Sequence, residues 1–129
     1  MQRHDGHQAE IWLRPAPRGT AEVLLQLVDS GELTSTPRLG VRDATHEKGY
    51  IPGEQALLRV LNSEGQEVRS RPIRIETIVP KRMVDLQPAD LVGSQLYNSW
   101  QEVQHDLSRF ERHTLAPEEM VSIITFSYL

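Results

Sequence analysis

Glu67-Val68-Arg69-Ser70-Arg71-Pro72-Ile73-Arg74-Ile75-Glu76-Thr77-Ile78-Val79-Pro80 is long for a strand, and its apolar phase changes part-way along. Val68 reads as inward on the even positions, whereas Ile73 and Ile75 read as inward on the odd ones. Side chains on a strand alternate strictly between two faces, so the phase changes only where the ladder is interrupted. Pro72 has no N–H to give to a ladder, and a bulge or bend beside it accounts for both features. Long strands bent in this way build small closed or nearly closed barrels. A bent antiparallel or mixed β-barrel is therefore the expected architecture.

The neighbouring segments agree. Upstream, Pro52-Gly53-Glu54 turns into a strand over Ala56 to Leu61, and Ser63-Glu64-Gly65-Gln66 is a hairpin turn leading into the long strand. Downstream, Val121, Ile123, Ile124, Phe126 and Tyr128 make Met120 to Leu129 apolar on both faces, as in a strand covered on two sides. Gln8 to Arg14 alternates as a first strand, ended by Pro15 and Pro17. Thr20 caps a helix from Ala21 to about Ser30, with Val23, Leu24, Leu27 and Val28 on one face and Gly31 as its stop. Gln87-Pro88-Ala89-Asp90 starts a short helix. A longer helix runs from about Ser99 to His113, with Ser99 and Glu102 as a capping box and Trp100, Val103, Leu107 and Phe110 as its apolar stripe. Helices in blocks between antiparallel strands indicate the α+β class, with two main helices packed on the barrel. The expected buried set is Val23, Leu24, Leu27, Trp100, Val103, Leu107, Phe110, Ile123 and Phe126.

The 129 residues suit one domain, 1–129, with Met1 to His7 a polar, mobile start rather than a signal peptide. The chain has no cysteine, which excludes disulfides, thiolate metal sites and cysteine nucleophiles. No apolar run approaches a membrane span, so no membrane is expected and the cytoplasm is the default location. A net charge of −4 argues against broad nonspecific DNA binding while leaving room for a small basic cleft. His4, His7, His46, His105 and His113 show no metal-binding spacing, so neither metal nor cofactor is expected.

Glu32 to Pro52 is polar and broken by Pro37, Gly40 and Gly49, with a strand only over Leu33 to Arg38; a loop this long is more often functional than idle. Its start, Gly31-Glu32-Leu33-Thr34-Ser35-Thr36-Pro37-Arg38, resembles the G-x-K-x-x-T-x-R motif of the ASCH family of PUA-like β-barrels. It matches at Gly31, Thr36 and Arg38 and has Leu33 where that family has lysine. The order of elements, the Gly53-Glu54 turn and the apolar last strand resemble the same family, across nearly the whole chain. A second alignment sets Arg42-Asp43 on the motif arginine and Pro37 on the lysine, so either Arg38 or Arg42 holds the family's arginine position.

The resemblance implies RNA or a nucleoside-like small molecule as partner. For family members that hydrolyse acetylated cytidine it implies a lysine, a threonine nucleophile and a glutamate. A threonine hydroxyl needs a neighbouring base, and Leu33 cannot accept a proton. The glutamate position, carried over by spacing from the Leu86 region, falls near Ser94, while the acids Glu76 and Asp90 do not match. The expectation is thus a binding module for RNA or a modified nucleoside, leaning away from an enzyme, with no catalytic residue assigned. A nucleoside-amide hydrolase with a rearranged site and a protein-interaction domain are the alternatives. The expected ligand-binding residues are Thr36, Arg38, Arg42, Asp43 and Lys48, at the mouth of the barrel. Arg69, Arg71, Arg74, Lys81 and Arg82 form a second, basic group that either tracks an RNA backbone or is a solvated strand edge. Tyr50 and Tyr97 are the aromatics expected to be exposed for stacking.

Overall fold

The computed structural model describes residues 8–129, so the mobile start expected for Met1 to His7 lies outside the described residues. Among the described residues nine main elements run as β1 (Ala9–Leu13), α1 (Ala21–Asp29), β2 (Ser35–Leu39), β3 (Gln55–Leu61), β4 (Glu67–Arg82), two 3-10 turns (Met83–Asp85 and Pro88–Leu91), α2 (Trp100–Glu111) and β5 (Met120–Tyr128). The five strands form one sheet in the order β1-β3-β4-β5-β2. β1 pairs with β3 in parallel and every other pair is antiparallel, which makes the sheet mixed. It curls into a half-barrel with two helices, the expected α+β class.

The 16-residue β4 makes the curl possible. Its first half pairs with β3 and its second half with β5, so it bends from one wall of the barrel to the other. The break is not at Pro72, which pairs in register with Leu57. It lies four residues later, where the β4–β5 register shifts between Ile75 and Thr77 and Glu76 is left over. The physical reason is that Glu76 separates odd-numbered Ile73 and Ile75 from even-numbered Ile78 on the inner face, whereas the pairing with β3 runs through Pro72 unshifted. Val68 gave a false phase: it is exposed at a second register shift, where Val60 pairs with Arg69 and Leu61 with Glu67.

Two apolar clusters flank β5. Ile124 and Phe126 pack with Ile11, Leu58, Ile73, Ile75 and the α1 residues Leu24 and Val28. Val121 and Ile123, on the opposite face, pack with Met83, Leu86, Leu91 and Val103 of α2. This is the two-sided strand the sequence suggests. Thr20 caps α1 through Val23 N, and Ser99 Oγ accepts from Glu102 N at the start of α2. The Glu102 carboxylate takes Asn98 N at 2.7 Å, one residue before the expected partner. Leu24, Val103, Ile123 and Phe126 are buried as expected. Val23 and Leu27 of α1 and Trp100 and Leu107 of α2 are half-buried, and Phe110 is 39% exposed.

Candidate functional site

The sheet order leaves β1 and β2 as its two edges, with no backbone ladder between them. Two side chains bridge the seam instead. Arg38 Nη2, from β2, donates to Trp12 O at 2.8 Å, and the Tyr50 hydroxyl donates to Glu10 O at 2.8 Å. A cavity of about 640 Å³ opens at this seam, walled by β1, β2, the loop after β2 and α2. Such a volume suits a small organic ligand.

Arg38 is the central cation of the cavity. Its Nε is fully enclosed without a hydrogen-bond partner, and no carboxylate among the described residues pairs with it. Burial draws its pKa below the ordinary arginine value; Tyr50 and Tyr97 oppose the change, while Arg42 and Arg14 add to it. Arg42 also lines the cavity, with two of its donors engaged: Nε to Leu39 O at 2.5 Å and Nη1 to Lys48 O at 3.4 Å. These bonds fold the loop back on β2. Gly49 completes the fold, for a Cβ at that position would lie 1.6 Å from Asp43 O. Lys48, Gly49 and Tyr50 are thereby held on the cavity wall.

On the opposite wall stand Gln95, Tyr97 and Asp106. Asp106 is 2% exposed and accepts the Tyr97 hydroxyl at 2.9 Å. Burial, with the Asp106 charge and hydrogen bond, pushes the Tyr97 phenol far up, so it stays neutral. His105 Nδ1 approaches the other Asp106 oxygen at 3.4 Å. Gln95 Oε1 is buried without a partner. At the rim, Trp12 is 38% exposed, with Arg59 5.5 Å over its ring and its Nε1 on Glu10 Oε2 at 2.7 Å.

Of the expected ligand-binding residues, the structure places Arg38, Arg42 and Lys48 on one cavity and leaves two out of its lining. Thr36 shares the Arg38 face of β2 but is fully buried behind it, its hydroxyl without a partner. Asp43 is exposed and holds the loop, accepting from Thr45 N at 2.9 Å and Thr45 Oγ1 at 2.5 Å. Those bonds lower its pKa. Leu33 is fully buried in the α1-side core, its carbonyl accepting the Tyr128 hydroxyl. Ser94 is buried on Leu91 O, Glu76 takes Ser127 Oγ, and Asp90 takes Lys81, so none of the three lines the cavity.

Tyr50 and Tyr97 are 6% and 7% exposed, correcting the expectation of exposed aromatics. They are buried because their hydroxyls find acceptors inside, on Glu10 O and Asp106. Trp12 and Phe110 are the exposed rings. Asp106 was missed by sequence, although a signal existed: it follows Val103 at helical spacing, an acid on the stripe that packs inward.

The basic group lies away from the cavity. Arg69 pairs with Asp29 at 2.9 Å, and Arg71 donates to Val28 O while lying 4.2 Å over the Tyr128 ring. Both thus cap the C-terminal end of α1. Lys81 pairs with Asp90 at 2.9 Å and Arg82 with Asp85 at 2.8 Å. Arg74 is exposed on the other strand face. Among the described residues no three histidine, aspartate or glutamate side chains group as a metal site requires, and no helix is long and apolar enough to cross a membrane.

Neither protein-family models nor curated proteins match the chain. Two solved structures are similar throughout. The EF3133 protein of Enterococcus faecalis V583, of family DUF984, is 18% identical with a TM-score of 0.62, covering 95% of this chain and 81% of its own. An ASCH domain from Lactobacillus crispatus JV V101 is 15% identical with a TM-score of 0.60, covering 91% and 79%. The chain therefore has the fold of an ASCH domain, a PUA-like half-barrel.

Proposed function

We propose that the chain is a binding module whose seam cavity takes a nucleoside-sized ligand, free or as part of RNA, on Arg38. One observation carries this reading: a half-buried guanidinium, its Nε enclosed and no carboxylate among the described residues paired with it, on the wall of a cavity of about 640 Å³. Burying a charge without pairing it is unfavourable, and a protein retains such a group where a bound acceptor completes it. Trp12, whose ring is exposed at the rim, suits a planar ring. The likeness in fold to an ASCH domain supports the reading by analogy.

Binding is favoured over threonine-based hydrolysis because the Thr36 hydroxyl is enclosed and has no base beside it among the described residues. Four of the five β4-side cations, Arg69, Arg71, Lys81 and Arg82, are engaged within the protein, so the cavity supports ligand binding better than the strand does. Calorimetric titration of nucleosides and short RNAs tests the proposal. Arg38→Ala should weaken binding by about 1.5–3 kcal/mol, the scale of a hydrogen bond to a charged group. Unchanged binding in that variant would move the site elsewhere, and no binding by any of the panel would favour an interaction domain.

A further inference from the structure

A second, open groove of about 720 Å³ lies beside the seam cavity. It is walled by the chain after β1 from Pro15 to Pro17, the start of α1, the turn between β3 and β4, and the end of α2. Trp12, Arg14, Ala16 and Phe110 line both spaces, so the two adjoin along these residues. The exposed rings therefore gather at one junction: Trp12 is 38% exposed and Phe110 39%, although Phe110 continues the α2 stripe that Val103 buries. The Trp12 ring is held in place by its Nε1 bond to Glu10 and by Arg59 lying over it. Arg14 at the junction and Arg109 in the groove are exposed, and neither has an ion-pair partner among the described residues. Arg14 is close enough to Arg38 for the two charges to oppose each other. Of the carboxylates on the two walls, Glu10 is taken by Arg59 and Asp106 by the Tyr97 hydroxyl, while Glu22 and Glu111 are exposed.

We infer, building on the reading above, that the junction is a second subsite and that the ligand is a single strand of RNA, with one nucleoside in the seam cavity, the following phosphodiester on Arg14, and the next base against Phe110 and Trp12. Exposed rings set among unpaired cations are what a single strand requires, because every base has a π-face and every linkage a charge. A lone nucleoside carries no charge for Arg14 and leaves the groove empty. An apolar or proline-rich peptide would cover the rings but leave Arg14 and Arg109 unmatched.

The test compares, by calorimetry on the full chain, uridine and adenosine with the dinucleotides UpU and ApA and with the same dinucleotides joined by an uncharged methylphosphonate. UpU or ApA should bind at least tenfold more tightly than its nucleoside, and the methylphosphonate should lose most of that gain. Arg14→Gln and Phe110→Ala should each lower the dinucleotide-to-nucleoside ratio at least threefold, whereas Arg74→Gln, at an exposed cation outside both spaces, should leave the ratio as it is. Thermal melts check that Phe110→Ala folds, and the methylphosphonate comparison stands without any variant. Dinucleotide and nucleoside binding alike, a gain that the methylphosphonate keeps in full, or a gain lost equally in Arg74→Gln would overturn the inference while leaving nucleoside binding in the seam cavity intact. A proline-rich peptide that binds the wild type but not Phe110→Ala, with no dinucleotide gain, would give the groove to a protein partner instead. Silence from every nucleoside and dinucleotide would remove both readings.

Discussion

Arg38→Met separates a residue kept for ligand from one kept for the fold. The wild-type guanidinium gains one charged hydrogen bond, on Trp12 O at 2.8 Å. Such a bond contributes about 1.5–3 kcal/mol. Against it stand the enclosed, unpartnered Nε and the burial that lowers the pKa of Arg38. An orphaned buried donor costs about 1–3 kcal/mol, and desolvation of the charge adds to this. Methionine keeps the unbranched stem packed on β2 and introduces no new polar group. The opposing terms nearly cancel, so Arg38→Met should change stability by roughly −1 to +1 kcal/mol. For a chain of this size that moves the melting temperature by no more than about 5 °C either way. Ligand binding should be lost in the same variant, as expected when a functional site is held at the expense of stability. Circular-dichroism melts with urea unfolding supply the stability, and calorimetry the binding. A loss above about 2 kcal/mol would show that Arg38 mainly straps β1 to β2, and the argument from an unpaired charge would fail.

Four further outcomes follow from the same contacts. Leu33→Lys should lose upwards of 3 kcal/mol in urea melts, because position 33 is fully buried in the α1-side core; a stable variant would mean that position 33 reaches solvent. Leu58→Ala, at another fully buried site, should cost about 2–5 kcal/mol, whereas half-buried Leu107→Ala should cost less than half as much; equal costs would contradict the half-buried placement of Leu107. Gly49→Ala should destabilise by roughly 2 kcal/mol or more and weaken ligand binding, since the added methyl meets Asp43 O; wild-type melting would show a different loop path. The Asp43 pKa lies below its unfolded value because it accepts from Thr45, so its contribution is present above about pH 4 and fades as pH falls through the lowered value. Thr45→Val should raise that pKa in an NMR titration, and an unmoved pKa would remove the Thr45 contact as its cause.

The bend of the barrel was legible in the sequence, but its position was not. Ile73, Ile75 and Ile78 contain the true phase change around Glu76, yet Val68 drew attention to Pro72, because periodicity cannot tell an inward side chain from an exposed apolar one at a bulge. The two-faced β5 was readable from its unbroken apolar run, which serves both cores. Of the site, Arg38, Arg42 and Lys48 were within reach because they sit on one contiguous strand and loop. Asp106 and Gln95 come from a region more than 45 residues away, and only the folding of the chain brings them to the seam. Tyr50 and Tyr97 were misjudged for a related reason: their burial depends on acceptors supplied by β1 and α2.

The most direct test of the account is an NMR titration of the isotope-labelled chain with uridine, following the Arg38 Nε–Hε, Gln95 side-chain amide and Tyr97 signals. All three groups belong to the seam cavity, whereas Arg74 and Arg82 do not. The account predicts saturable shifts at Arg38, Gln95 and Tyr97, with Arg74 and Arg82 unmoved, and loss of the Gln95 and Tyr97 shifts in Arg38→Met. Shifts centred on Arg74 and Arg82, or Gln95 and Tyr97 shifts unchanged in the Arg38→Met protein, would contradict it.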